Sequence, residues 1–231
     1  MKKILARLVL VVIGSVLAGC APILKANLEA DAVGSRPSLS PAGAPDGDQL
    51  ILQGSAGSIV VIQSGMLESK AVKLDRTSAP PATVFDGIPA DGPHRSGSYD
   101  ACFRAYPLAD QAPLNISIQS NTNKRAFLVV YKNGQYEVIN GNGKDSLPGT
   151  YPSLQVHAFC FGIFMNERTF SVSVDGEWKI IQRPFLDSEF SEIQLMRFEY
   201  FPAVLEAFPG VYVIDDLIIT KRIWPRIWFL K

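Results

Sequence analysis

Short runs of alternating or β-branched residues fill the sequence from Gln49 onward, with turn residues between them roughly every ten positions. The runs fall at 50–52, 59–63, 71–74, 99–105, 114–118, 126–131, 135–139, 159–164, 170–174, 178–181, 193–201 and 212–220. Asn133-Gly134 and Asp175-Gly176 separate neighbouring runs, and both dipeptides tolerate the positive φ of a tight hairpin. No stretch repeats its apolar residues at helical spacing. A chain patterned this way buries its apolar faces only by stacking or closing sheets, so 49–222 is expected to be one all-β sandwich or barrel.

The 231 residues are 47% hydrophobic and carry 22 basic and 22 acidic side chains. That is too apolar for a disordered chain and too balanced for a nucleic-acid partner. Part of the apolar excess lies at the start. Lys2, Lys3 and Arg7 precede the run LVLVVIGSVLA at 8–18, which is short of the ~20 residues needed to cross a bilayer and has the form of a signal h-region. It ends in Leu17-Ala18-Gly19-Cys20. LAGC resembles the bacterial lipobox. The resemblance implies a signal peptide at 1–19, cleavage before Cys20, a diacylglycerol thioether on that sulfur and an acyl group on its amine. The alternative is an ordinary secretory signal with an incidental cysteine. Ala21 and Pro22 follow, with no Asp of the kind that retains lipoproteins at the inner membrane. By resemblance, the protein would sit in the outer membrane, a cell-envelope location. Cleavage removes three basic groups and no acid, so the mature chain is mildly acidic, which disfavours electrostatic docking on anionic lipid or nucleic acid.

Residues 20–48 lack strand alternation, and GSRPSLSPAGAPDGD at 34–48 carries three prolines and three glycines. This segment is expected to be a lipid-anchored tether. The tail IWPRIWFLK at 223–231 follows the last run. It either folds back onto the core or meets a partner protein or the membrane interface.

Three segments carry a second resemblance: TFSVSVDGE at 169–177, IQLMRFEY at 193–200 and YVIDDLIIT at 212–220, with HAFCFGIF over His157–Phe164 before them. They are similar to the closing strands of concanavalin A-like lectin/glucanase sandwiches, a superfamily that includes laminin-G-like domains. The resemblance implies a jelly roll of two curved antiparallel sheets, one concave face of which often binds glycans.

With Cys20 taken by lipid, Cys102 and Cys160 remain as an even pair in an oxidising compartment. A disulfide is expected. Two buried thiols are the alternative, and a nucleophile paired with His94 or His157 has no base placed beside it. With two histidines, no Cys-x-x-Cys and no His-x-x-x-His, neither a transition-metal site nor a cofactor is expected. His94 falls in the Pro/Gly-rich loop 85–97 and is expected to be exposed; His157 opens a strand as a hydrogen-bonded sheet-edge residue.

Retaining glucanases of the superfamily carry two acids on one strand. The nearest candidates are Asp187, Glu189 and Glu192. If extended, Asp187 and Glu189 share a face and Glu192 takes the other, and the flanking serines and Pro184 favour a solvated acidic turn. YKNGQY at 131–136 is similar to an alginate-lyase strand, but Asn133-Gly134 is a hairpin signal and the companion motifs are absent. Asp215 and Asp216 stand where laminin-G-like domains can ligate Ca²⁺; without a second acidic cluster they are expected to bond loop amides. Tyr99, Tyr136, Trp178 and Tyr200 are candidate sugar-stacking platforms. Because no strand presents two acids on one face, the expectation is a non-catalytic envelope lipoprotein. It would bind a glycan or an envelope protein, or serve a structural role. A glycosidase or polysaccharide lyase is the alternative. The lipobox reading predicts that Cys20→Ser leaves the precursor unprocessed and abolishes metabolic labelling with fatty acid.

Overall fold

The computed structural model describes residues 22–26, 28–41, 49–55, 57–76, 83–110, 112–200 and 210–222. The signal segment, Cys20 and the tail 223–231 lie outside them. The described strands are β1 (Pro22–Ala26), β2 (Gln49–Gln53), β3 (Ile59–Ser64), β4 (Ser69–Asp75), β5 (Thr83–Ile88), β6 (Ser98–Asp110), β7 (Leu114–Gln119) and β8 (Arg125–Lys132). After these come β9 (Gln135–Asn140), β10 (Gly143–Ser146), β11 (His157–Phe164), β12 (Thr169–Val174), β13 (Glu177–Pro184), β14 (Leu195–Tyr200) and β15 (Gly210–Arg222). They form two antiparallel sheets, in the orders β13-β12-β11-β6-β15-β4-β3 and β10-β9-β8-β7-β14-β5-β2, stacked as a sandwich. All-β architecture follows from the period-two patterning, since each strand sends alternate side chains into one shared core.

β6 turns Tyr99, Ala101, Phe103 and Ala105 inward, and β11 turns Phe159, Phe161 and Ile163 toward them. From the second sheet come Ile116, Ile118, Phe127, Val129 and Phe198. Phe103 meets Phe159 stacked at 5.3 Å between ring centroids and Phe198 edge-on at 4.9 Å, so one aromatic ring spans the two sheets. Towards one end the core is rich in tyrosine: Tyr131, Tyr136, Tyr151 and Tyr212 pack together, and the hydroxyls of Tyr136 and Tyr212 bond each other across the sandwich. Burial pushes both of these phenols far up.

Three strands depart from the sequence reading. β5 takes up the first residues, 85–88, of the segment 85–97 read as a loop, and β10 is a short edge strand after β9. β1 lies within the segment expected to be a tether and pairs with β15 at Pro22↔Thr220 through Ala26↔Leu217. Leu24, Ala26 and Leu28 are buried in the main core. The seat for Leu24 is made by Gly87 on β5, where a Cβ would stand 2.7 Å from the Leu24 side chain and 3.0 Å from that of Leu217. Pro37 and Pro41 are buried too, so this part of the expected tether lies on the domain. The C-terminal strand is also longer than read. β15 changes partners at a bulge, with Asp216 at φ 53°, so that β4 takes its edge over Val211–Ile214 and β1 takes it beyond.

Cys102 and Cys160 stand directly opposite on β6 and β11 and form a disulfide, with Cα atoms 4.2 Å apart. Neither sulfur is therefore a free nucleophile. Because β1 is core rather than tether, Leu24→Ala is predicted to lower unfolding free energy by about 2–5 kcal/mol in a denaturant titration.

Candidate functional site

Outward positions on an antiparallel sheet ordinarily face water. On the centre of the second sheet they are polar and yet buried: Asp86 is 1% exposed, Gln119 1%, Ser117 2% and Glu199 8%. Register explains the grouping. Arg197 on β14 stands opposite Asp86 on β5 and Ser117 on β7, and Glu199, two residues on, stands opposite Val84 and Asn115. All of these share one face. Arg197 donates from Nε and Nη2 to the two carboxylate oxygens of Asp86, at 2.8 and 2.7 Å, a bidentate pair. Gln119 Nε2 donates to Ser117 Oγ at 2.8 Å. Asp86 and Glu199 are diagonal neighbours across β5 and β14, a relation that sets Cβ atoms roughly 7 Å apart.

Burial pushes the Asp86 carboxyl up more than the Arg197 guanidinium draws it down. Burial likewise raises Glu199, against the pull of Arg197 and Arg125, and the Asp86 charge adds to the rise. Arg125, at the start of β8, has a buried Nε that makes no hydrogen bond. Two raised carboxyls flanking one arginine are the arrangement from which acid–base or ligand chemistry is built. The described clefts lie elsewhere: two of about 390 Å³, lined by Lys25, Glu29, Asp215 and Asp216 and by His94, Arg95, Tyr99 and Lys221, and one of about 450 Å³ lined by Asn142, Glu167 and Arg168.

The acids singled out from sequence do not assemble. Asp187 accepts the Arg125 backbone N–H at 2.6 Å and ties down its loop, while Glu189 pairs with Lys124 on the surface at 2.7 Å. Glu192 is buried rather than solvated, with Oε2 taking Arg95 Nε at 3.0 Å and Oε1 buried without a partner. Asp215 is buried and accepts from Ser69 Oγ, and Asp216 is exposed and accepts Arg104 Nε at 2.5 Å. Arg104 also reaches Asp215 at 3.5 Å, so the two aspartates hold an arginine rather than a loop. Among the described residues no group of three or more His, Cys, Asp or Glu side chains is placed to hold a metal ion.

His94 is half-buried, not exposed: its backbone bridges Ile193, and its Nε2 lies 3.0 Å from the Ala90 carbonyl. His157 opens β11 and meets Asp175 Oδ2 through Nδ1 at 2.8 Å, inside the sheet rather than at its edge. Three of the four proposed stacking platforms, Tyr99, Tyr136 and Tyr200, are core residues; Trp178 alone of the four is open, at 45% exposure on the outer face of the first sheet. Sequence reasoning missed the Asp86–Arg197–Glu199 group because its members come from different strands. The available signal was Arg197 and Glu199 alternating with Met196, Phe198 and Tyr200 in a single run.

No family model matches the chain, and no curated protein matches it. Solved structures do. The catalytic domain of a glycoside hydrolase family 131 protein from Coprinopsis cinerea superposes with a TM-score of 0.60 at 12% identity, over 86% of this chain and 93% of that one. A sialidase gives a TM-score of 0.58 at 13% identity over 74% of this chain. A botulinum neurotoxin type C structure, whose title ties cell entry to interaction with two ganglioside molecules, gives 0.58 at 12% identity over 89%. The chain spans 17% of the sialidase and 49% of the toxin chain. At such identities the likeness carries the fold: a jelly-roll sandwich of the concanavalin A-like kind, found both in glycan-cleaving enzymes and in binding domains. The expectation of a chain without catalysis does not stand. Catalytic proteins share this sandwich, and its ground, that no strand presents two acids on one face, passes over Asp86 and Glu199, which share a face from adjacent strands.

A carboxyl raised on folding holds its proton to higher pH than the unfolded chain does. Its contribution to stability is complete below the unfolded carboxylate range and is lost as pH rises through the folded value. Glu199→Gln removes that loss. The stability of the variant relative to the parent is therefore predicted to rise with pH across this window, as read from thermal melts between acid and neutral pH.

Proposed function

We propose that this chain is a lipid-anchored cell-envelope protein whose sandwich engages a glycan across the outer face of its second sheet. The observation that carries the reading is the Asp86–Arg197–Glu199 group, charged side chains held at the centre of a sheet face where an apolar or fully solvated surface would cost less. Arg197, its Nε–Nη2 edge held by Asp86, keeps its Nη1 edge for sugar hydroxyls or carboxylates, and the half-buried Asn115 offers an amide on the same face. The glycan-directed chemistry named for the sialidase, the glycoside hydrolase and the ganglioside-dependent toxin supports a glycan as the ligand class. LAGC at 17–20 supports the anchor, and the residues after Cys20 support the outer membrane as its location.

A second reading, that the same face cleaves the glycan, is favoured by the raised Glu199 beside Asp86. The two are diagonal neighbours on adjacent strands and project from one face, the arrangement that a pair of glycosidase carboxyls needs. In that case Glu199 would give its proton to the glycosidic oxygen as its bond to the anomeric carbon breaks, while a water bonds to that carbon and passes its proton to the Asp86 carboxylate, whose charge Arg197 supports.

Retention of the full chain on peptidoglycan and on neutral and acidic polysaccharides, with new reducing ends measured in parallel, tests both readings. Arg197→Lys keeps the charge that Asp86 needs but loses the bidentate fork, and is predicted to weaken retention about tenfold, ~1.4 kcal/mol. Product that disappears in Glu199→Gln while retention persists establishes cleavage. A folded parent that is retained on none of the polymers contradicts the glycan reading.

A further inference from the structure

Alternation along β8 breaks at its start. Val129 and Phe127 point into the core, so strict alternation would send Arg125 inward as well. A bulge prevents this. Ile118 pairs with Phe127 but Gln119 pairs with Arg125, so the extra residue, Ala126, is taken up and Arg125 comes out on the outer face of the second sheet beside Gln119. The loop after β13 clamps the backbone there: the Arg125 N–H donates to Asp187 Oδ2 at 2.6 Å, and the Arg125 carbonyl accepts the Asp187 N–H at 3.0 Å. Bulge and clamp together deliver a second guanidinium to the face that carries Arg197 and Glu199.

This guanidinium is unmatched. Arg125 is half-buried, its Nε is buried without a hydrogen bond, and among the described residues no carboxylate forms an ion pair with it. Arg197, by contrast, is gripped by both oxygens of Asp86. Glu199 is the other acid of the face and feels the Arg125 charge, but its burial favours the protonated form. The face as a whole is therefore left with a positive charge. A guanidinium withdrawn from water without a partner is unfavourable, and an anion arriving from solution relieves it. A planar carboxylate matches the guanidinium fork in both shape and charge, whereas a hydroxyl matches neither.

The surroundings suit a sugar ring that bears such a carboxylate. Leu128 and Val130 follow Arg125 on the same side of β8, both half-buried, opposite Ser117 and Asn115. They offer an apolar bed to the C–H face of a pyranose, the mix of apolar lining and few polar groups usual in ligand sites. Ser117 and Gln119 lie too deep to reach a ligand, so polar contact falls to Arg125, Asn115 and the free edge of Arg197. We propose that the glycan bound by this face is a carboxylated one, a uronic-acid type of sugar whose carboxylate docks on Arg125 while its ring lies over Leu128 and Val130. The proposal rests on the glycan reading above and narrows its ligand.

The test measures retention of the full chain on alginate, polygalacturonate and hyaluronan, each beside its methyl ester, which keeps the backbone and removes the charge. Dextran and dextran sulfate supply a neutral and a sulfated polymer without carboxylates. With 22 basic and 22 acidic side chains, the chain has no bulk attraction for polyanions. Retention is predicted on at least one free acid and about tenfold weaker on the ester of that polymer. Arg125→Gln is predicted to weaken binding of the acid to the level of the ester, to leave binding of the ester unchanged, and to melt like the parent, since it removes no hydrogen bond or ion pair. Equal retention on acid and ester, retention on the dextrans alone, or an Arg125→Gln variant that binds the acid like the parent overturns the proposal and leaves the glycan reading standing. Retention on none of the polymers contradicts the glycan reading, and the proposal falls with it.

Discussion

The pairing of β15 with β6 through the middle of the first sheet organises the rest of the molecule. β6 binds one edge of β15 from Gly210↔Asp110 to Arg222↔Ser98, and the other edge is divided between β4 and β1 at the bulge around Asp216. The same two strands carry the outer-face charge pairs Arg104 with Asp215 and Asp216, and Arg222 with Asp100. On its inner face β15 contributes Tyr212, whose hydroxyl meets Tyr136 of the opposite sheet. On its other edge β6 receives β11, where the Cys102–Cys160 bond fixes the register that aligns Phe103 with Phe159. Long-range pairing of this kind forms slowly, because loop closure precedes its reward. In the chain-entropy model a bridge closing a loop of this length contributes on the order of 4 kcal/mol.

The second sheet uses its central strands differently. A well-paired antiparallel strand could present apolar or solvated residues outward at little cost. Here Asp86 and Glu199 are withdrawn from water beside one another, and the Arg197 fork offsets only part of the desolvation. Breaking such a pair on one side leaves a buried charge, a penalty of about 3–5 kcal/mol. Sites of this kind persist where polar recognition or proton chemistry uses them. Around them the sheet is rigid: Arg197 is flanked on both sides by ladder hydrogen bonds to β5 and β7, so its guanidinium is set by backbone register rather than by a loop.

Much of the fold was legible in local chemistry. Asn133 and Asp175 adopt φ of 51° and 52°, each followed by a left-handed glycine, and each closes the hairpin that its dipeptide announced. What local chemistry hid was any strand whose identity depends on distant partners. Val84-Phe85-Asp86-Gly87 reads as a turn approach because Asp86, Gly87 and Pro89 are turn residues, yet the ladder to β14 and β2 makes it a central strand, with Gly87 leaving room for Leu24. Pro22–Ala26 is too short to show alternation, and only the open edge of β15 beyond the bulge gives it a place. The carboxyl pair was hidden for the same reason. Asp86 and Arg197 are 111 residues apart, and a search along single strands cannot find acids that adjacent strands bring together.

A face built on Asp86, Arg197 and Glu199 that works as a polar site, rather than as an incidental buried ion pair, must respond to its ligand. Carbon-13 NMR of the glutamate carboxyls in the full chain, titrated with and without an oligosaccharide of the retained polymer, addresses it directly. Glu199 is expected to titrate above the ordinary glutamate value of about 4.3, and its resonance is expected to move when the oligosaccharide is added. A Glu199 that titrates at the ordinary value and does not respond to the sugar would contradict it.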